Sequence, residues 1–264
     1  MQRVIYFVLA LVAGLTASHS WSAGFAADRL ETSAAVKNLL EKPPRHFSSA
    51  PLWVWNDLLT DDHIVSTLHD LAGQDVKQVF VHPRPGLITP YLSDEWFRLW
   101  KLALKTAEAL DMNVWIYDEN SYPSGFAGGW VPEVMPESVG RGLTFKETDK
   151  PAEIPTSAVA VYRIAEGGFE NITKRFQARE PLGSGRFMYA EVVRPGPSPW
   201  HGGRPYVDLI YPGVTEKFLE VTLDAYQREV GDWFGSRIPG SFTDEPRLLT
   251  AGQISWTDDL ADCF

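Results

Sequence analysis

The chain contains a single cysteine, Cys263, among 264 residues. An internal disulfide is therefore excluded, and stability has to come from a packed core. A lipoprotein anchor is excluded too, since it needs a cysteine directly after an N-terminal apolar run. Positive charge is scarce: 24 Lys and Arg face 34 Asp and Glu, for a formal net charge of −10, and no run of basic residues occurs. That balance argues against nucleic acid or an anionic membrane surface as a partner and favours neutral ligands. Long hydrophobic runs are missing as well. The longest, Val4 to Leu15, is too short to span about 30 Å of hydrocarbon. No GxSxG or HExxH occurs, and no GxGxxG between a strand and a helix, which lowers serine-hydrolase, zinc-protease and dinucleotide readings. His63, His69 and His201 have no partners at ligand spacing, so no zinc site and no other metal site is assigned.

Aromatic residues, by contrast, are plentiful: ten Trp, nine Tyr and fourteen Phe. Flat aromatic faces stack well on sugar rings, although burial in the core is their commoner use. At the N-terminus, Arg3, the apolar run and the small residues up to Ala26 read as a signal peptide over residues 1–26. Its removal predicts a secreted or periplasmic protein that is not held by a membrane; the alternative is an N-terminal anchor. Residues 27–50 read as a polar, proline-containing linker.

From residue 51 the pattern alternates. PLWVW reads as a strand, and the helix after it is capped by Thr60 or Asp61 and stops at Gly73. VKQVFVHP is a second strand, and Ser93 caps an amphipathic helix with Trp96, Leu99, Leu102 and Ala103 on one face. MNVWIYDEN is a third strand. Strands apolar on both faces and separated by helices predict a parallel sheet covered on each side. Residues 141–199 interrupt this with short β-branched and aromatic runs between Gly, Pro and charged turns, a β-rich insertion. Residues 200–264 return to the alternation: Thr215 opens a helix through Phe234, GSFTDEP is the fourth strand, and WTDDLADCF starts another helix. The fold class expected is α/β, a partial TIM-like (β/α) barrel with 51–140 as its first half. Four strand–helix units are half of an eight-strand barrel, so the chain reads as a fragment.

Two acidic doublets, Asp118-Glu119 and Asp244-Glu245, stand where an apolar strand gives way to a turn. A carboxylate at such a mouth is held by a rigid sheet and aimed at solvent, which suits acid–base chemistry. Glycosidic cleavage needs one carboxylic acid for the leaving oxygen and a second carboxylate as nucleophile or base. Glu245 is the candidate acid; its alternative is an ion pair with Arg247. Asp118, Glu119, Asp244 and Tyr122 are candidate substrate ligands, because a sugar needs several fixed hydroxyl partners. His82 and Arg84 end the second strand and can bind sugar oxygens or tune a carboxylate. Trp55 is a candidate stacking floor, with Asn56 beside it. Gly125, Gly128 and Gly129 allow a sharp turn or a close backbone approach.

Together, WVWN, HPRPGLITPYLSDEW, VWIYDENSYPSGFAGG, YVDLIYPGVTEKFLEVT and FTDEP resemble the N-terminal barrel portion of large secreted bacterial glycoside hydrolases of the α-L-rhamnosidase type, family 106 and its relatives. The resemblance runs from about Pro51 onward. It implies a TIM-like catalytic barrel, a glutamate acid matching Glu245, activity on a plant or microbial glycan, and in some members a calcium ion near the sugar. Such enzymes are several times longer, which places the second catalytic carboxylate beyond Phe264 and predicts a chain inactive by itself. The competing expectation is a noncatalytic secreted carbohydrate-binding protein.

Overall fold

The computed structural model describes residues 32–248, 251–252 and 254–260. The segment read as a signal peptide lies outside these residues, as do residues 261–264, the end of the stretch expected to start another helix. Among the described residues no helix is long and apolar enough to cross a membrane.

Four strands form a parallel sheet in the order β1 (Leu52–Trp55), β2 (Gln78–Pro83), β3 (Asn113–Tyr117) and β8 (Ser241–Phe242). Between them run α2 (Asp61–Gly73) and α3 (Asp94–Ala109). Local chemistry sets both helix starts. Thr60 Oγ1 accepts from the His63 N–H at 3.2 Å and Ser93 Oγ from the Trp96 N–H at 3.2 Å, each satisfying an amide with no helical partner. Asp61, Asp62, Asp94 and Glu95 place negative charge on the positive ends of the two helices.

The core lies on one side of this sheet. Trp53, Trp55, Val79, Val81, Val114 and Ile116 pack there against Ile64 and Leu68 of α2 and Trp96, Leu99, Trp100 and Ala103 of α3. Trp55 meets Trp53 edge-on at 5.2 Å and Trp96 at 5.0 Å, and Trp96 Nε1 donates to Tyr226 Oη at 3.2 Å. The opposite side is different. Phe80 packs on Trp115 and Phe242, while Leu52, Val54 and Phe242 are exposed. The expected cover on both faces is thus present on one only. A closed barrel is not shown: β1 pairs only with β2 and β8 only with β3 among the described residues, and a sheet of four parallel strands stays open.

A second, antiparallel sheet follows the order β6 (Gly168–Asn171), β5 (Ala160–Ala165), β7 (Arg186–Val193), β4 (Gly142–Thr148) and β9 (Ile254–Ser255). Val161, Phe187 and Tyr189 form its own small core with Ile154 and Ile172, beside the short helix α5 (Thr173–Gln177). β9 joins this sheet from outside the 141–199 span. Within the segment read as a linker, α1 (Ser33–Glu41) forms with no buried residue, and Arg45 Nε reaches Asn113 at 2.8 Å.

A third cluster joins the strand mouths to the rest. Phe126, Val131 of α4 (Trp130–Val134), Tyr206, Val207, Val214 and Phe218 pack together. The helix expected as one piece is two, α6 (Val214–Val221) and α7 (Leu223–Val230). Thr222 sits between them at φ −104°, ψ −84°, with its hydroxyl donating to the Phe218 carbonyl at 2.6 Å. A threonine bonding back to its own turn competes with helix continuation.

Candidate functional site

The mouths of β3 and β8 are laced together around Asp118. Its Oδ1 accepts from Ser124 Oγ at 2.6 Å and its Oδ2 from Thr243 Oγ1 at 2.5 Å, while its N–H donates to the Phe242 carbonyl at 3.1 Å. Ser124 also accepts from the Asp244 N–H at 2.8 Å and donates its own N–H to the Asp244 carbonyl at 2.9 Å. Burial pushes the Asp118 carboxyl above its ordinary range, and the two hydroxyl donors oppose that shift.

Glu119 points into the following loop and has no exposed surface. Its Oε2 accepts from the N–H groups of Gly125, Phe126 and Ala127 at 3.0, 3.0 and 2.8 Å. Its Oε1 accepts from Asn120 at 2.8 Å and from Gly128. The loop can turn its amides inward because Gly125 and Gly128 take φ of +133° and +62°. A β-carbon on Gly125 would lie 2.6 Å from Leu209. Burial pushes the Glu119 carboxyl up to about 8 against the pull of these backbone donors. Such a group orders a loop; its oxygens are already engaged and offer nothing to a ligand.

The remaining groups run from buried Tyr117 out to exposed Glu245, Arg247 and Trp200. Tyr117 Oη donates to Asp244 Oδ2 at 2.6 Å, and burial, followed by this bond, raises its pKa. Tyr122 Oη donates to Glu245 Oε2. Glu245 is exposed and holds φ of +43°, a left-handed backbone that is strained for a residue with a β-carbon. Trp200 arrives from another loop, where its carbonyl accepts from Ser121 Oγ at 2.5 Å, and its exposed ring meets Tyr122 edge-on at 6.1 Å. The Arg84 guanidinium lies 5.9 Å from the Tyr122 ring and 5.8 Å from the Trp200 ring, and that of Arg247 lies 5.6 Å from Tyr122. The Glu245–Arg247 ion pair allowed by the sequence does not form; Tyr122 takes the carboxylate instead.

His82 is 2% exposed, and neither ring nitrogen has a hydrogen-bond partner. Its ring centroid is 4.1 Å from that of Tyr117. Burial, reinforced by Arg84 and opposed by Asp244, lowers its pKa to about 4. A cavity of about 300 Å³ is lined by Asp118 and Ser124 together with Leu209, Phe218, Leu223, Thr243 and Pro246.

No protein-family profile matches this chain, and no curated protein does. A rhamnosidase from Novosphingobium sp. PP1Y is a weak structural neighbour, with a TM-score of 0.33 and 21% identity. The overlap covers 43% of this chain and spans 11% of the length of that protein. At that TM-score a shared fold is not established.

Of the residues singled out in the sequence, His82, Arg84, Asp118, Glu119, Tyr122, Asp244 and Glu245 do converge at the mouths. Asp118 and Glu119 turn inward. Trp55 does not form a stacking floor, because its ring is fully buried among Trp53, Trp96 and Trp100 on the helix side of the sheet. Asn56 is exposed at the end of β1, where Gly86 packs so closely that a β-carbon would come within 2.8 Å of the Asn56 carbonyl. Trp200 was missed, although a tryptophan among prolines and glycines (PSPWHGG) is unlike one inside an apolar run. Among the described residues no group of three or more His, Cys, Asp or Glu is arranged to hold a metal ion. Each Asp118 carboxylate oxygen already accepts one hydroxyl group.

Proposed function

We propose that the strand mouths form a carbohydrate site of the glycoside hydrolase type, with Glu245 as the acid that protonates the leaving oxygen. One observation carries this reading: an exposed carboxyl held by Tyr122 at the end of a parallel strand, beside the exposed ring of Trp200. Tyr122, Asp244 and Arg84 are the sugar ligands in this proposal, and a plant or microbial glycan is the substrate. Export through residues 1–26 belongs to the same reading.

Cleavage takes two carboxyl groups. Asp118 and Glu119 are buried and engaged within the fold, and of Asp244 and Glu245, each holding one tyrosine hydroxyl, only Glu245 is exposed. The chain by itself is therefore expected to bind sugar with negligible turnover. The same observation favours a second reading, a noncatalytic carbohydrate-binding protein. An external nucleophile separates the two. With an aryl glycoside whose leaving group needs protonation, added azide should restore release of the aglycone, and Glu245→Gln should abolish that rescue while saccharide binding persists. Binding without rescue under any condition supports the binding protein; absence of both removes the carbohydrate reading.

A further inference from the structure

Arg84 and Arg247 stand on the same ring, Tyr122, at 5.9 and 5.6 Å. Among the described residues neither takes part in an ion pair, although most arginines of this acidic chain do. Two carboxylates are close by in sequence and space, yet tyrosine hydroxyls hold both: Tyr117 holds Asp244 and Tyr122 holds Glu245. Arg84 has one long bond, Nη1 to the Ser121 carbonyl at 3.4 Å, which leaves most of its five N–H groups unused. Beside it, buried His82 has two unpartnered ring nitrogens. His201, whose ring packs on Phe126 and Tyr206, is held below its ordinary pKa by burial and then by Arg247. Each guanidinium thus lacks a carboxylate partner of its own, because tyrosine hydroxyls hold Asp244 and Glu245, and both stand beside an aromatic pair suited to a sugar face.

Building on the carbohydrate reading, we infer that Arg84 and Arg247 form a subsite for a sugar oxyanion, the carboxylate of a uronic acid or a sulfate ester. The sugar ring lies against Trp200 and Tyr122, and its anionic group receives the guanidinium N–H donors. A planar guanidinium matches a carboxylate with two parallel hydrogen bonds, and such charge-assisted bonds are about twice as strong as neutral ones. A neutral sugar can accept single hydrogen bonds from these groups but offers no anionic pair of acceptors to match the fork.

The test is a calorimetric titration of the full 264-residue chain with three saccharides of equal length. These are an oligogalacturonide, its carboxyl-reduced neutral counterpart, and a sulfated form of that neutral sugar. At least one acidic ligand should bind on the order of tenfold or more tightly than the neutral one, with the advantage shrinking as salt rises. Which acidic ligand binds identifies the oxyanion. Arg247→Gln, at an exposed position, should erase about tenfold of the acidic affinity and leave neutral binding unchanged. Arg84→Lys keeps the charge at the half-buried position but loses the fork, and should weaken the carboxylate ligand more than the sulfated one. Equal affinities for acidic and neutral saccharides, or equal losses for both in Arg247→Gln, would overturn the oxyanion subsite and leave the carbohydrate site standing. Absence of binding by all three would overturn both.

Discussion

Asp118-Glu119 closes β3 and Asp244-Glu245 closes β8, the same two letters at the ends of adjacent parallel strands. In the first doublet every oxygen receives a donor from within the fold, two hydroxyls for Asp118 and five amides for Glu119. In the second, each carboxylate receives one tyrosine hydroxyl and Glu245 stays exposed. The residues that follow explain the divergence. SYPSGFAGG folds back with glycines that turn amides inward, whereas Glu245 is followed by Pro246, which has no N–H to give. A strand mouth positions an acid; the next few residues decide whether it serves the fold or a ligand.

The contrast breaks most visibly with Glu119→Gln. An amide nitrogen has no lone pair to accept with, so either orientation faces at least two backbone N–H groups without an acceptor. A loss of about 2–5 kcal/mol in urea unfolding is expected, against less than about 0.5 kcal/mol for Glu245→Gln. Comparable losses for the two variants would erase the distinction.

His82 gives the next largest effect. Its imidazole is neutral in the fold because its pKa falls from 6.5 to about 4. A lowered folded pKa means that the native state binds fewer protons than the unfolded chain between those values, so stability is lost as pH drops from 6.5 toward 4. The loss amounts to about 2–3 kcal/mol at the acid end, and His82→Leu should flatten that limb of the unfolding midpoint plotted against pH. Glu119 has the opposite sign. Raised from 4.5 to about 8, it contributes stability that is lost as pH climbs through that window. Above pH 6.5 only the Glu119 slope remains, and a midpoint that rises there would refute this assignment.

Gly125→Ala sharpens the comparison at smaller scale. Its φ of +133° and the 2.6 Å approach to Leu209 should cost about 1–3 kcal/mol and loosen the amides around Glu119, read as faster hydrogen exchange at residues 125–128. Smallest is Tyr122→Phe, which removes the donor to Glu245 at the surface. Stability should change by less than about 1 kcal/mol, while saccharide affinity falls.

Much of the parallel unit could be read in advance, because its signals are local. Thr60 and Ser93 mark helix starts by what their own side chains reach, and the runs at β1, β2 and β3 are apolar enough to name themselves. What escaped depends on distant partners. Trp55 and Trp200 are the same residue type, yet one is enclosed by α3 and the other is carried to the mouth by a loop pinned to Ser121, 79 residues away. The helix break at Thr222 turns on a single hydroxyl choosing its own turn. Period-based reading likewise found strands without showing that one face of the sheet would stay bare.

That bare face governs how the molecule behaves in a tube. Leu52, Val54 and Phe242 put aliphatic and aromatic surface in water on a particle whose formal charge of −10 keeps copies apart at low ionic strength. Adding a kosmotropic salt screens the repulsion and strengthens the apolar attraction together. The protein should then cling to a phenyl column and precipitate early in an ammonium sulfate series, and Val54→Lys should delay both.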